Sequence, residues 1–308
     1  MTTEQISCAP GSSINEDLIA VFDNGGVRDL IVLDGASSVA DTDYIDAQQG
    51  DVAWFVQAFA AALEAAIAPG VTQGAAVRRA VDAVRAGFDA RAGTGSIPLY
   101  AHPLAALTWI RIEQRADHLA LSLYCLGDCK AFAFDAGGAV CDLDPYVNPH
   151  EAVLREAMGA LNTQDMRDPL LRRARLLPML RARRESQHRS SAPDVLCLAP
   201  QGEFRARAFT RRLPLDTAVL AMTDGFYRLV DAYELYTIDA LVQHCRTRGL
   251  AALMDELRSF EAARASGVMA VKSADDASAV LWSGRLNTEG TDEMMSLDRR
   301  TAPGRGSH

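Results

Sequence analysis

Short apolar runs at 17–22 and 29–33 flank Asn24-Gly25-Gly26. Asn-Gly between apolar runs predicts a hairpin, because both residues tolerate positive φ. Helical spacing follows. Val52, Phe55, Val56, Phe59, Leu63 and Ile67 share one stripe, Asp51 is placed to cap the helix and Gly70 to end it. A second helix is predicted over 75–88, with Val77, Val81, Val84 and Phe88 on one face, and Gly93-Thr94-Gly95 reads as a loop. Residues 104–112 and 118–126 read as strands. The latter puts Leu119, Leu121, Leu123 and Cys125 on one face. Gly127-Asp128-Cys129 then reads as a turn and 131–134 as a return strand, giving a second hairpin.

The β pattern breaks over 148–190, where 151–161 and 169–184 read as helices. The second carries Arg172, Arg173, Arg175, Arg181, Arg183 and Arg184. A solvated helical face is the preferred reading of these arginines, and a patch that attracts acidic or phosphorylated partners is the alternative. Strands resume at 195–198, 203–210 and 217–222, a helix covers 238–264, and a last strand covers 277–282. The pattern shows no repeat and no dividing linker. One domain over 1–286 with a helical insert at 148–190 is expected, followed by a polar, disordered tail at 287–308.

Composition narrows the function. The chain has 308 residues, 49% of them hydrophobic, enough for a sizeable core. A formal charge of -9 argues against a dedicated nucleic-acid binder. No apolar run nears the ~18 residues that span a bilayer, and the start MTTEQISCAP has no signal-peptide pattern. The six cysteines, at 8, 125, 129, 141, 197 and 245, form no CxxC and read as buried reduced thiols of a cytoplasmic protein.

The candidate chemistry is a set of acids where β runs start or stop. Asp34 ends the second run, Asp128 follows Leu126-Gly127, Asp224 follows Met222-Thr223, and Asp275 and Asp276 precede the last strand. Singly, each is an ordinary turn residue. The first hairpin sharpens the case. A three-residue loop places Glu16 opposite Asp34, and a two-residue loop shifts the register by one; either leaves acids as neighbours. Opposed residues lie roughly 4.5–5.5 Å apart at Cβ, where like charges destabilise. Such a group needs a proton or a cation, and oxygen ligands suit Mg²⁺ or Mn²⁺. The isolated histidines build no zinc site.

Ile14-Asn15-Glu16-Asp17, Leu33-Asp34-Gly35, Leu126-Gly127-Asp128, Thr223-Asp224-Gly225 and Ser273-Ala274-Asp275-Asp276, in this order, resemble the motifs of the PPM-type (type 2C) metal-dependent protein serine/threonine phosphatases. The resemblance implies an α+β fold, a four-layer α-β-β-α sandwich of two antiparallel sheets flanked by helices. It implies direct hydrolysis of phosphoserine or phosphothreonine proteins by a water bridging two divalent metals, Mn²⁺ or Mg²⁺. Carried over position by position, Asp34 bridges the two ions and the Gly35 carbonyl completes one shell. Asp224 and Asp275 hold the other ion. Glu16 and Asp17 act through bound waters. Asp128, with Asp224, serves a third ion in some members. Asp34, Asp224 and Asp17 are the expected catalytic group. The expected partner is a phosphorylated protein, with no nucleic acid and no membrane, and the oligomeric state is left open.

The sequence departs from the family pattern at three places. Many members carry an arginine shortly before the Glu-Asp pair; here the stretch is Cys8-Ala9-Pro10-Gly11-Ser12-Ser13. After Asp34-Gly35 comes Ala36-Ser37-Ser38, where many members offer His or Met and then Gly-Gly. After Asp128 comes Cys129-Lys130 in place of Ser-Arg. Two alternatives therefore stand beside the phosphatase: a catalytically weak phosphatase-like regulatory or binding module, and a metal hydrolase acting on a small phosphate ester.

Overall fold

The computed structural model describes residues 1–93, 95–161, 168–264 and 274–284. The tail expected at 287–308 and Ser273 of the last motif lie outside the described residues. The chain opens with strand β1 (Thr2–Cys8), which no hydrophobic alternation announces. It continues with β2 (Asp17–Asn24) and β3 (Val27–Gly35), then helices α1 (Asp51–Ala66) and α2 (Gln73–Ala92). Next come β4 (Leu104–Gln114), β5 (Leu119–Leu126), β6 (Lys130–Phe134) and β7 (Val140–Asp142). Helices α3 (Pro149–Gly159) and α4 (Pro169–Arg189) follow. The rest is β8 (Leu196–Cys197), β9 (Arg207–Leu213), β10 (Ala218–Met222), α5 (Asp224–Tyr227), α6 (Ile238–Arg264, interrupted at Gly249) and β11 (Ala277–Ser283).

The strands form two antiparallel sheets, ordered β1-β11-β10-β6-β7 and β2-β3-β4-β5-β9, with β8 beside β4. Alternation along β3 shows how the layers stack. Leu30 and Val32 point between the sheets, where they meet Ile110, Leu121, Leu123, Val219, Val280 and Trp282. Ile31 and Leu33 point outward, onto Phe55, Phe59, Val77 and Val81 of α1 and α2. On the far side, Leu220 and Met222 of β10 pack against Leu241, Leu253 and Leu257 of α6. A strand buried on both faces has no polar alternation, which is why 29–33 reads as a solid apolar run. The fold is α+β, with two facing antiparallel sheets and helices outside. No helix among the described residues is long and apolar enough to cross a membrane.

Three local expectations need correction. Residues 118–126 and 131–134 are not a hairpin: β5 pairs with β4 in one sheet, and β6 pairs with β10 in the other. Gly127-Asp128-Cys129 is instead the crossing between sheets. Gly127 takes φ 77°, and a Cβ there would sit 2.5 Å from the Ala106 side chain, so the corner needs glycine for both its angle and its closeness. Turn residues mark a reversal and a corner alike, so the sequence cannot separate the two. Asp51 is not the cap of α1; Gly50 holds that position. The buried Asp51 carboxylate accepts instead from the backbone N–H groups of Tyr44, Ile45 and Asp46, at 2.8, 2.7 and 3.0 Å.

The third correction concerns the arginine helix, which is not simply a solvated face. Arg172 and Arg184 of α4 are buried. Arg173 Nη2 donates to Ser38 O (3.0 Å) and Arg181 Nε to Val39 O (2.9 Å). Arg184 Nη2 donates to Ala36 O (2.9 Å) and Ser37 O (2.7 Å). His188, also buried, meets the His102 ring edge-on at 5.4 Å. α4 is thereby bound to the segment that leaves β3, directly after Asp34-Gly35.

Candidate metal centre

The β2–β3 turn has two residues, Gly25-Gly26, so Asn24 pairs with Val27 and Asp17 stands opposite Asp34. That is the two-residue alternative; the three-residue loop, with Glu16 opposite Asp34, does not form. Glu16 lies one step beyond, where its carbonyl accepts from the Gly35 N–H at 3.1 Å. Gly35 has no room for a side chain: a Cβ would sit 2.4 Å from Glu16 O and 2.6 Å from Val52 Cγ1. The Glu16 carboxylate accepts from Ser37 Oγ at 2.6 Å, and its backbone N–H donates to Asp276 Oδ2 at 2.7 Å.

The other acids arrive from the second sheet and its corners. Asp128 sits at the crossing from β5 to β6 and accepts from Asn148 Nδ2 at 2.6 Å. Asp224 opens α5, two residues past the end of β10, with Thr223 between them as the N-cap. Asp275 precedes β11 and forms an ion pair with Arg228 at 2.9 Å. Asp34, Gly35, Asp128, Asp224 and Asp275 line one cleft of about 290 Å³, together with Ala36, Ser37, Arg183 and Arg184. Asp17 lies behind this lining, buried, and accepts from Thr223 Oγ1 at 2.8 Å.

Burial, and after it the mutual repulsion of the acids, raises the carboxyl pKa of three of these groups. Burial pushes the Asp17 carboxyl up to about 8, and the Asp224 and Asp276 charges add to the rise. Asp34 is raised well above the ordinary carboxylate range, first by burial and then by Asp224, Asp17, Asp128 and Asp275. Asp224 is raised to about 7 by enclosure in protein, with Asp128 and Asp275 next, while Arg228 pulls the other way. Asp224 is nevertheless exposed, as a residue that lines the open cleft. Water therefore screens it more than it screens Asp17.

The donor set is all oxygen and negatively charged, which fits a hard divalent cation. As placed, no three His, Cys, Asp or Glu side chains among the described residues are gathered tightly enough to hold an ion. Arg228, one helical turn after Asp224, instead neutralises part of the cluster through Asp275. Arg228, Asn148 and Thr223 have no role that the motifs of the sequence assign. Only Arg228 had a readable signal, its i,i+4 spacing from Asp224.

No protein-family model and no curated protein matches the sequence. Solved structures do. The Mycobacterium tuberculosis serine/threonine phosphatase PstP/Ppp superposes with a TM-score of 0.50 at 14% identity, over 92% of this chain and 99% of that one. A serine/threonine phosphatase of S. agalactiae superposes with a TM-score of 0.52 at 9% identity, again over 92% and 99%. The two facing antiparallel sheets and the outer helix pair after the first hairpin agree with the near-complete coverage of both solved structures. This chain has the fold of the PPM-type serine/threonine phosphatases.

Proposed function

We propose that the protein is a metal-dependent phosphatase of phosphoserine and phosphothreonine proteins, using two ions of Mn²⁺ or Mg²⁺. One observation carries this reading: five aspartates from five separate chain segments, Asp17, Asp34, Asp128, Asp224 and Asp275, act on one another around a single cleft. Asp34, Asp224, Asp275 and the Gly35 carbonyl would hold the pair of ions. Glu16 and Asp17 would stand behind them, and Asp128 would serve a third. Such ions supply Lewis-acid polarisation of the phosphoryl group and a water acidic enough to attack it. The chain's own side chains set the geometry: Thr223 holds Asp17, Asn148 holds Asp128, and Ser37 holds Glu16. None of the six cysteines begins a thiol-phosphatase Cys-x5-Arg loop, so a route without a covalent phospho-enzyme agrees with the residues present.

The Asp275–Arg228 ion pair favours a second reading, a phosphatase-like binding module with little turnover. Hydrolysis of p-nitrophenyl phosphate and of a phosphothreonine peptide decides between them, measured in EDTA and then with Mn²⁺ or Mg²⁺, alongside Asp34→Ala. The phosphatase reading expects metal-dependent turnover that Asp34→Ala abolishes. Wild-type rates in Asp34→Ala would remove the site assignment. Metal binding by calorimetry without turnover would favour the module.

A further inference from the structure

The acidic cleft has one wall of opposite sign. Arg183 and Arg184 of α4 line it beside Asp34, Asp128, Asp224 and Asp275. The two arginines are used differently. Arg184 is 5% exposed and spends Nη2 on the Ala36 and Ser37 carbonyls, while its Nη1 is buried with no acceptor. Arg183 is half-buried, and no hydrogen bond or ion pair to a described residue holds its guanidinium. Asp128 and Asp194 act on it through space only. Leu180, Arg183 and Gln187 lie along one face of α4 and border both this cleft and a second hollow of about 280 Å³ beside α3. Arg183 therefore stands at the rim of the acidic floor, partly desolvated and uncommitted.

We propose that Arg183 is the substrate-phosphate contact of this site, with Arg184 as the positioning residue that fixes Ala36 and Ser37 beneath it. The inference rests on the phosphatase reading above and adds the residue that reading lacks. A phosphate monoester dianion that approaches several carboxylates is repelled unless cations meet it. A guanidinium offers two parallel N–H groups to two phosphoryl oxygens. No arginine stands between Cys8 and Ser13 to do this from the start of the chain. The cation comes instead from α4, so that helix is a working wall of the cleft.

The test uses inorganic phosphate as the probe, with the full chain saturated in Mn²⁺. Phosphate and Mn²⁺ affinities are measured separately by calorimetry for wild type, Arg183→Ala, Arg183→Lys and Arg212→Ala, the last an exposed arginine away from the cleft. Loss of a charge-assisted hydrogen bond predicts phosphate binding weakened about tenfold to a hundredfold in Arg183→Ala. Lys should recover part of this as a point charge without the fork. Mn²⁺ affinity should not fall in either variant, and Arg212→Ala should match wild type. Equal phosphate affinity in wild type and Arg183→Ala overturns the inference, as does a metal-loaded wild type that binds no phosphate. If wild type binds phosphate through Arg183 yet hydrolyses neither p-nitrophenyl phosphate nor a phosphopeptide, the phosphatase reading falls and the arginine site stands.

Discussion

Asp17→Asn should stabilise the metal-free protein, although it removes a proposed functional residue. Asp17 is 7% exposed, opposes Asp34 across the hairpin, and has its carboxyl raised from 3.8 to about 8. The folded state thus favours the protonated form. The unfolded chain releases this proton above about pH 4, whereas the folded protein keeps it until about pH 8. Stability from this group is therefore complete at low pH and is lost as pH rises between those limits. Each pH unit in that window costs about 1.4 kcal/mol, so the full loss is on the order of 5 kcal/mol, less whatever the neighbouring carboxylates share. Asn is isosteric, can still accept from Thr223 Oγ1, and does not ionise. Urea unfolding in EDTA at pH 5, 6.5 and 8 reads the effect. The variant should gain several kcal/mol over wild type at pH 8, little at pH 5, and show a flatter pH profile. Saturating Mn²⁺ should reverse the order, because a ligand that binds only the folded state adds stability in proportion to its affinity. A variant less stable than wild type at pH 8 in EDTA, or one with an unchanged pH slope, would refute the reasoning.

The acid side of the profile has a different owner. His188 is buried and its imidazole is pushed down to about 4 by desolvation, with the His102 carbonyl near its Nε2. Its neutral form belongs to the folded state, so its contribution is intact above about pH 6.5 and drains as pH falls toward 4. His188→Phe should remove on the order of 2 kcal/mol of the wild-type loss between pH 7 and pH 5; an identical acid limb in the two proteins would show that His188 does not control it. Gly35→Ala drives a methyl into Glu16 O and Val52. It should cost about 3 kcal/mol, the upper end of ordinary overpacking, as a lowered urea midpoint at constant m-value. A wild-type midpoint would mean that the β2–β3 junction yields easily.

The acids that gather at the cleft stand out in the sequence because they sit where strands end. An apolar run that closes on Asp places that Asp at the end of its strand whatever its partners are; Asp34, the penultimate residue of β3, and Asp224, two residues past the end of β10, both follow this rule. Which acid opposes which depended on one residue of turn length, because register moves with the loop, and here Gly25-Gly26 alone form it. β1 escaped notice because it is an edge strand of Thr, Glu, Gln and Ser. Backbone pairing with β11, which no local pattern encodes, makes it a strand. The crossing at Gly127-Asp128 was hidden because a corner between sheets and a hairpin use the same residues. The arginines of α4 misled for a related reason. Charge spacing on a helix reports a face, but burial of Arg184 depends on a loop more than a hundred residues away.

The way α4 is fastened has a consequence for how freely the sequence can drift. Arg173, Arg181 and Arg184 take hold of main-chain oxygens at Ser38, Val39, Ala36 and Ser37. Every residue type presents the same carbonyl. Ala36 and Ser38 could therefore exchange side chains without unfastening the helix, whereas Val39 is held by burial and Ser37 by the hydroxyl that also serves Glu16. No such latitude exists on the other partner, where replacing an arginine deletes the bond outright. Substitutions in a mutational library should accumulate on the strap and be purged from the clasp.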